Sequence, residues 1–454
     1  MPDTDLPQRI PVRVDLVNDA WGIWKSLKVM RTNLLQAIPE MTTRQPIVSG
    51  VTGKRWHMIT DPATIREMLL DRLDQYPKSI VTKNLLKPAI GESLFIAEGA
   101  HWRWQRRTAA PVFSHRNVMN LAPIMSRAAE RTTDRIAAAG PRAVNLLDEM
   151  VTATFDVIAD VTFSSDERFD RDIVHRAIDD YISEAGRVSL FDVIGAPDWV
   201  PCPGRIMSGQ GMRDMKTVAD QAIDARAACG PDGVPDLLDL LLEGEDPKSG
   251  RKMTTAELRD NLLTFIVAGH ETTALTLAWS IYLMAFDPEA QERARAEAQS
   301  VLQRRAATGA DVARLPFIRQ IIDEALRLYP PAGMVSRTAM ADDTLCGTKI
   351  RKGDTCIIPI YALHRSHLLW DTPDAFRPER FADRKAIDRY AYLPFGDGPR
   401  ICIGASFALQ EAVIILATLL SRFKYTPVPG RDPEPVMILT LRPQGGVWLM
   451  AEPV

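Results

Sequence analysis

The chain has 454 residues, of which 46% are hydrophobic and 25% charged, and its formal net charge is −3 at pH 7. These values are ordinary for a soluble globular protein and exclude a general electrostatic attraction to nucleic acid or to an anionic membrane. The five cysteines are scattered without a metal-binding or disulfide-scaffold spacing, which favours a reducing cytoplasm. We find no signal sequence and no apolar stretch of about 18 residues, so no membrane anchor is expected.

The N-terminal part of the chain predicts strands followed by a helix. Residues 46–60 contain two strand-like segments around a glycine-containing turn, which is typical of a β-hairpin. Asp61 and Pro62 predict a helix start, with Asp61 as the N-cap and Pro62 at the first helical position. Residues 77–98 show no sustained period, so we expect a long apolar loop, and such loops are often functional.

Trp102 and Arg106 form the first pair that indicates a ligand. They lie four residues apart and share one helix face, where an indole N–H and a guanidinium suit a carboxylate. Taken alone, the pair is also compatible with surface packing. Arg103 and Arg107 share an adjacent face, which suits either a docking patch for an acidic electron carrier or a solvated basic surface.

Two helices are predicted over residues 117–163, and they are separated at Gly140 and Pro141. Residues 173–230 are less regular and rich in glycine and proline. This composition is typical of a mobile lid over a ligand site, and a plain surface excursion would look the same.

A long helix is predicted from Thr254, which can form a capping box with Glu257, to Phe286. Its centre is apolar on nearly all sides, which predicts burial. Into this centre the chain places Glu271 and Thr272, and a buried carboxylate and hydroxyl are costly unless they are paired. Such a pair is typical of proton delivery in a water-poor site. The alternative is a satisfied polar network that merely bends the helix.

Cys402 lies in an irregular loop, residues 395–404, that directly precedes an apolar helical stretch over residues 405–423. The unpaired backbone N–H groups at a helix N-terminus favour a thiolate over a thiol. Arg400 lies two residues away, and Phe395 can shield the sulfur from water. The loop is therefore typical of a metal ligand or a nucleophile, and an inert structural cysteine is the alternative.

Four motifs, in this order, resemble those of the cytochrome P-450 family, the haem-thiolate monooxygenases, over about residues 40–450. The similar segments are Trp102-x-x-x-Arg106, Ala268-Gly-x-Glu271-Thr272-Thr, Glu324-x-x-Arg327 with Pro378-Glu-Arg380-Phe, and Phe395-Gly-x-Gly-x-Arg400-x-Cys402-x-Gly404. The resemblance implies a mainly α fold with a minor β lobe, formed as a single domain over residues 1–454. Residues 46–60 and about 334–361 are expected to contribute to the β lobe.

The resemblance also implies haem b as the cofactor, with Cys402 as its iron ligand. The residues implied to contact the haem are Trp102, Arg106, Ala268, Arg337, Phe395, Arg400, Cys402 and Gly404. Glu271 and Thr272 are implied to relay protons. Glu324, Arg327 and Arg380 are implied to form a buried triad that holds the cysteine loop.

The implied activity uses dioxygen and two electrons to hydroxylate or epoxidise a lipophilic small molecule: a fatty acid, terpenoid, steroid or aromatic compound. The apolar candidates for the substrate pocket are Leu85, Leu86, Phe95, Val267, Ala268, Met334, Val335 and Leu439. For a fatty acid, the candidate carboxylate partners are Lys83, Lys87 and Arg187.

We find no Gly-rich flavin or nicotinamide module and no iron–sulfur cysteine set in the sequence. Electrons are therefore expected from a separate ferredoxin and its reductase. We also expect a monomer with no nucleic-acid partner. The alternatives are a peroxide-driven haem-thiolate peroxygenase and a non-catalytic haem-binding or sensor protein.

Overall fold

The computed structural model describes residues 10–18, 23–163, 171–180, 209–230 and 235–454. Helices dominate these residues, as expected. The α-helices are α1 Ile23–Thr32, α2 Pro62–Arg66, α3 Ile80–Ile90, α4 Gly99–Ala109, α5 His115–Ala139, α6 Leu146–Phe163, α7 Arg171–Asp180, α8 Gly209–Cys229, α9 Leu237–Glu243, α10 Thr255–Phe286, α11 Pro288–Leu302, α12 Pro316–Leu328, α13 Ile360–Leu363 and α14 Ala405–Arg422. The strands are β1 Ile47–Thr52, β2 Lys54–Ile59, β3 Val144–Asn145, β4 Val335–Thr338, β5 Asp343–Leu345, β6 Thr348–Ile350, β7 Thr355–Ile358, β8 Phe423–Pro427, β9 Glu434–Met437, β10 Leu441–Gln444 and β11 Trp448–Pro453.

The strands form small sheets, and the largest of those described has the order β1-β2-β7-β4. The predicted hairpin is confirmed, since β1 and β2 pair antiparallel with Ile47 opposite Ile59. Strand β7 then pairs parallel with β2 and antiparallel with β4, which joins the two segments assigned to the β lobe. A separate hairpin, β9–β10, turns at residues 438–440.

Helix α10 runs through the core, and its start agrees with the prediction. Thr254 accepts a hydrogen bond from the Glu257 backbone N–H, and the Glu257 side chain accepts one from the Thr254 backbone N–H, which completes a capping box. Trp279, on the C-terminal half of the helix, is fully buried and stacks on Tyr329 with ring centroids 3.9 Å apart. This burial explains why the helix has no polar face over most of its length.

Among the described helices, α14 alone is long and apolar enough to cross a membrane by length and composition, with a mean hydropathy of 1.4. It is 72% buried because it packs against α5, α10 and α11. Its apolar character therefore reflects its place in the core.

The long apolar loop predicted over residues 77–98 is wrong for its first half, which forms α3. Ser79 caps this helix by accepting a hydrogen bond from the Thr82 backbone N–H at 3.3 Å. The helical period is hidden because the apolar residues face two ways: Ala89 and Ile90 belong to the buried core, whereas Leu85 and Leu86 line a cavity. The irregular character predicted for residues 173–230 is also wrong where α8 forms, and Arg187 lies outside the described residues.

Candidate active site

A cavity of about 1210 Å³ lies between α10, α3, α4, the β1–β2 hairpin and the cysteine loop. Most of the apolar residues predicted for the substrate pocket line it, namely Leu85, Leu86, Phe95, Ala268, Met334, Val335 and Leu439. Val267 is the exception: it packs against the hydrophobic core and is not part of the wall. The reason is that Val267 lies on a different face of α10 from its neighbour Ala268.

The cysteine loop brings the Cys402 sulfur to the cavity. The Cys402 backbone N–H donates to the Phe395 carbonyl at 2.9 Å, which closes the loop. Gly398 has φ +70°, and a Cβ at this position would lie 2.4 Å from the Leu69 carbonyl oxygen, so only glycine fits. Phe395 and Gly404 line the cavity on either side of the sulfur.

The thiol of Cys402 is open to the cavity but enclosed by protein beyond it. This burial raises the pKa of Cys402, while the Gly404 backbone N–H and the charges of Arg106 and Lys78 lower it only in part. The loop's backbone N–H therefore favours the thiolate, as expected, but burial outweighs this effect in the protein by itself. A thiolate here requires a bound cation, such as a metal ion, to offset the desolvation.

Four cationic side chains gather along one wall of the cavity. Arg106, Arg337 and Arg400 were predicted from the sequence, and Lys78 was not. Arg400 forms an ion pair with Glu98 and donates to the Ala97 carbonyl oxygen at 2.9 Å. Its guanidinium also lies over the ring of Trp102, 4.1 Å from the ring centroid.

The other three cations, Lys78, Arg106 and Arg337, form no salt bridge with a carboxylate of the described chain. Burial lowers the pKa of Arg337 to about 10 and lowers the pKa values of Arg106 and Lys78. The pKa of each of these three cations is lowered because no nearby carboxylate offsets the cost of its burial. The wall is therefore built for an anionic ligand, and two carboxylates would balance most of its charge.

These groups fit haem. A sulfur ligand faces the cavity, the wall beside it is cationic, and Ala268 on α10 leaves room opposite the loop. A large apolar ring that carries two carboxylates and an iron would satisfy all three features, and thiolate ligation of haem iron is an established binding mode.

On α10, the structure does not bring the Glu271 carboxylate and the Thr272 hydroxyl together. Thr272 lines the cavity and donates to the Ala268 carbonyl at 2.7 Å. Glu271 is 2% exposed, accepts a hydrogen bond from Thr440 at 2.9 Å, and forms an ion pair with Arg442 at 2.7 Å. The carboxylate is thus held by the β9–β10 hairpin and is not part of the cavity wall.

The triad predicted from Glu324, Arg327 and Arg380 assembles. Glu324 and Arg327 are both fully buried and form two hydrogen bonds of 2.7 and 2.8 Å, and Arg380 lies 3.2 Å from Glu324. Arg327 also donates to the carbonyl oxygens of three later residues, His364, Pro373 and Ala375. It therefore fixes the chain that approaches the cysteine loop.

His364 connects this triad to the loop. Its Nδ1 faces the Arg327 carbonyl oxygen at 3.1 Å, and its Nε2 accepts from the Leu393 backbone N–H at 2.9 Å. Leu393 lies two residues before Phe395, so the link reaches the start of the loop. Burial and the nearby Arg327 lower the pKa of His364 to about 3, which keeps the imidazole neutral.

This histidine predicts a pH dependence of stability. In the unfolded chain His364 becomes protonated below about pH 6.5. In the folded chain the same imidazole stays neutral down to about pH 3. The free energy of unfolding should therefore fall as the pH falls through this window, by about 2 kcal/mol at pH 5. Urea unfolding at a series of pH values would measure the slope. His364→Gln should flatten it, the exposed His367→Gln should leave it unchanged, and an unchanged slope in His364→Gln would contradict the assignment.

The other charged candidates are paired. Arg103 and Arg107 bind Asp74 and Asp246 at 2.8 and 2.7 Å, which leaves little free charge for a docking patch. Lys83 and Lys87 bind Glu98 and Glu92 at 3.4 and 2.5 Å. Neither lysine lines the cavity, so neither is supported as the partner of a substrate carboxylate.

Comparison with known proteins identifies the family. A sequence model of the family described as Cytochrome P450 matches residues 20–450. The chain is 31% identical to cyclooctat-9-en-7-ol 5-monooxygenase of Streptomyces melanosporofaciens, covering 92% of this chain and 90% of that protein. It is 32% identical to a cytokinin hydroxylase of Arabidopsis thaliana, covering 87% of this chain and 79% of that protein.

The fold is also matched by a solved structure. The crystal structure of the cytochrome P450DA heme domain is similar with a TM-score of 0.80 and 26% sequence identity, covering 90% of each chain. The fold and the site define a haem-binding oxidoreductase of the monooxygenase class. The chain belongs to the cytochrome P450 family.

Proposed function

We propose that the protein binds haem b through Cys402 and uses dioxygen and two electrons to hydroxylate or epoxidise a lipophilic small molecule. The observation that carries this proposal is one cavity that joins the Cys402 sulfur, a cationic wall and an apolar chamber. The names of the relatives, a cytokinin hydroxylase and cyclooctat-9-en-7-ol 5-monooxygenase, support the reaction class. A soluble ferredoxin and its reductase are proposed as the electron source, the cytoplasm as the location and a monomer as the working form.

The residues of the chain have separate roles in this proposal. When bound, haem supplies the activation of dioxygen and the transfer of oxygen to a C–H or C=C bond. Cys402 is the metal ligand, and the four cations Lys78, Arg106, Arg337 and Arg400 hold the carboxylates. The apolar wall excludes water from the substrate. Thr272 presents its Oγ1 to the cavity, where it can accept and release a proton.

The test is the absorption spectrum of the purified protein after reduction under carbon monoxide. We expect a Soret band at the position typical of thiolate-ligated haem. A band at the position typical of histidine ligation would contradict the proposal. Titration of the haem-loaded protein with fatty acids, terpenoids, steroids and aromatic compounds, followed by the spectral shift on binding, would identify the substrate class.

The two other functions make different predictions. A peroxygenase would form product with hydrogen peroxide alone at the rate reached with electron donors, and the hydroxyl of Thr272 would be dispensable. A haem-binding sensor would show neither product formation nor a spectral response to lipophilic compounds. The large apolar chamber beside Thr272 favours the monooxygenase over the sensor.

Thr272→Ala should uncouple the reaction. Without Oγ1 at the cavity, protons are delivered poorly, so reductant is consumed while product yield falls and peroxide is released. Because positioned acid–base groups contribute about 10²–10⁴-fold, we expect product per electron pair to fall about tenfold or more. Product, peroxide and reductant would be measured with a substrate found by the spectral titration. Thr272→Ser, which keeps the hydroxyl, should retain coupling, and an unchanged yield in Thr272→Ala would count against the proton role.

A further inference from the structure

A serine, a histidine and an aspartate form a hydrogen-bonded chain at the β1–β2 hairpin, and none of them has a role in the mechanism proposed above. Ser49 Oγ lies 2.7 Å from His57 Nδ1, and His57 Nε2 lies 3.1 Å from a carboxylate oxygen of Asp354. Ser49 is directly opposite His57 in the hairpin, and Asp354 immediately precedes β7, which pairs with β2. Three segments thus bring together the groups that activate a serine hydroxyl in acyl transfer.

The surroundings of the aspartate determine which nitrogen of the histidine carries the proton. Burial opposes ionisation of Asp354, but hydrogen bonds from the Arg351 backbone N–H, His57 and Arg55 outweigh it and lower the pKa of the carboxyl group. An ionised carboxylate only accepts hydrogen bonds, so in the neutral imidazole the facing nitrogen, Nε2, carries the proton. Nδ1 is then the acceptor and can take the proton of the Ser49 hydroxyl, as a general base must.

The exposure of the three side chains also suits a nucleophilic centre. His57 is 1% exposed and Asp354 is 6% exposed, so water competes little for the hydrogen bond between them. Ser49 is exposed and borders the large cavity. The reactive oxygen is therefore open to molecules from solution, while the groups that would activate it are enclosed.

The free edge of the sheet supplies a hydrogen-bond donor beside this hydroxyl. Strand β1 is the edge strand of the four-stranded sheet, and the Thr60 backbone N–H donates to the Pro46 carbonyl oxygen at 2.9 Å. Because hydrogen-bonded pairs alternate along an antiparallel ladder, Ser49 and His57 form a non-hydrogen-bonded pair. The Ser49 backbone N–H therefore points away from β2 and has no partner among the described residues. The N–H of the nucleophile itself can stabilise an oxyanion.

The neighbouring surface favours an apolar acyl group. Val51 lies two residues after Ser49, so the two side chains are on the same face of β1, and Val51 is 73% exposed. Met41 is 48% exposed and borders the cavity together with Ser49 and Val51. Exposed apolar side chains beside an activated hydroxyl suit a hydrocarbon chain, whose burial there would be favourable.

We propose that Ser49 is the nucleophile of a second active site that hydrolyses carboxylic esters with apolar acyl groups, with His57 as general base and Asp354 as the residue that positions the imidazole. Ser49 Oγ attacks the ester carbonyl carbon, and its proton moves to His57 Nδ1. The C–O bond to the alcohol breaks, and the alcohol leaves with that proton. Water then attacks the acyl-serine and gives a proton to Nδ1, and that proton returns to Oγ as the acid is released. No electron is transferred, so this activity does not rest on the haem chemistry proposed above.

The first experiment tests the reactivity of the serine in the purified, haem-loaded protein. An alkyl fluorophosphonate phosphorylates activated serines with loss of fluoride, and mass spectrometry locates the modified peptide. We expect the label on Ser49, its absence from that peptide in Ser49→Ala, and labelling about tenfold or more slower in His57→Gln, which lacks the base. Wild-type protein without label on Ser49, or His57→Gln labelled as fast as the wild type, overturns the proposal.

The second experiment measures turnover of para-nitrophenyl esters without any electron donor, followed by the release of nitrophenolate. We expect the wild type to hydrolyse esters of longer acids faster than the acetate, and Ser49→Ala to fall to the background rate. The matched control is Ser300→Ala, at an exposed serine whose hydroxyl donates to the Glu297 carbonyl oxygen, and it should react as the wild type does. Equal rates in Ser49→Ala and Ser300→Ala overturn the activity, and a preference for the acetate overturns the apolar acyl site.

The positioning role of Asp354 has its own pair of variants. In Asp354→Asn the amide can donate to His57 Nε2, which would make Nδ1 a donor and remove the base, so kcat should fall about tenfold or more with KM little changed. Asp354→Glu keeps the carboxylate and should recover part of the rate, and equal losses in the two variants overturn the role of the carboxylate. Circular dichroism shows whether each variant folds. Ser49→Ala, at an exposed position, keeps the proposal testable if His57→Gln does not fold.

Discussion

Cys402→Ala should abolish the spectrum of thiolate-ligated haem and lower monooxygenase activity to the background level. Cys402 is the one cysteine of the described chain that lines the cavity, so no other described cysteine can supply the thiolate. The carbon monoxide difference spectrum and the haem content after gel filtration would measure the loss. Cys229→Ala, at an exposed cysteine, is the matched control and should bind haem as the wild type does.

The Cys402→Ala variant also separates ligation of the iron from binding of the haem carboxylates. Because Lys78, Arg106, Arg337 and Arg400 remain in Cys402→Ala, some haem is expected to bind weakly through its carboxylates. A variant that keeps the thiolate-type band would show that another residue ligates the iron. That outcome would also remove the basis for assigning the cavity as the catalytic site.

Arg327→Met should destabilise the fold more than any surface change. It leaves Glu324 with Arg380 and the Arg377 backbone N–H as partners, and it deprives three carbonyl oxygens of the Arg327 donor. Removal of one partner from a buried pair typically costs about 3–5 kcal/mol. The free energy of unfolding in urea, or the yield of folded haem-loaded protein, would measure this loss.

The matched control is an exposed ion pair. Arg293 and Glu379 lie 2.7 Å apart, and both are 56% exposed, so Arg293→Met should cost about 1 kcal/mol or less. If Arg327→Met and Arg293→Met proved equally mild, the triad would not be a support of the cysteine loop. Haem retention in the two variants would then separate stability from loop geometry.

The features that could be predicted from the sequence are those that a short segment determines. The cap at Thr254, the hairpin over residues 46–60 and the loop around Cys402 all follow from residues close in the chain, and the family resemblance added the triad. Helix α3 was missed because its apolar residues face both the core and the cavity, so no single period results.

Contacts between distant segments could not be predicted in this way. Lys78 joins the cationic wall only because it forms an isolated β-bridge with Arg337. Arg442 forms an ion pair with Glu271 although the two residues are far apart in the sequence. Neither residue belongs to a local pattern, and their partners are fixed by tertiary packing alone.

The cationic wall affects the folding of the polypeptide before the cofactor is bound. Newly made chains must bring Lys78, Arg106, Arg337 and Arg400 together although only Arg400 forms an ion pair, with Glu98, and mutual repulsion opposes this step. A ligand that binds only the folded form shifts the folding equilibrium by mass action. We therefore expect the abundance of this protein in a cell to follow haem supply, because chains without haem are more exposed to proteases.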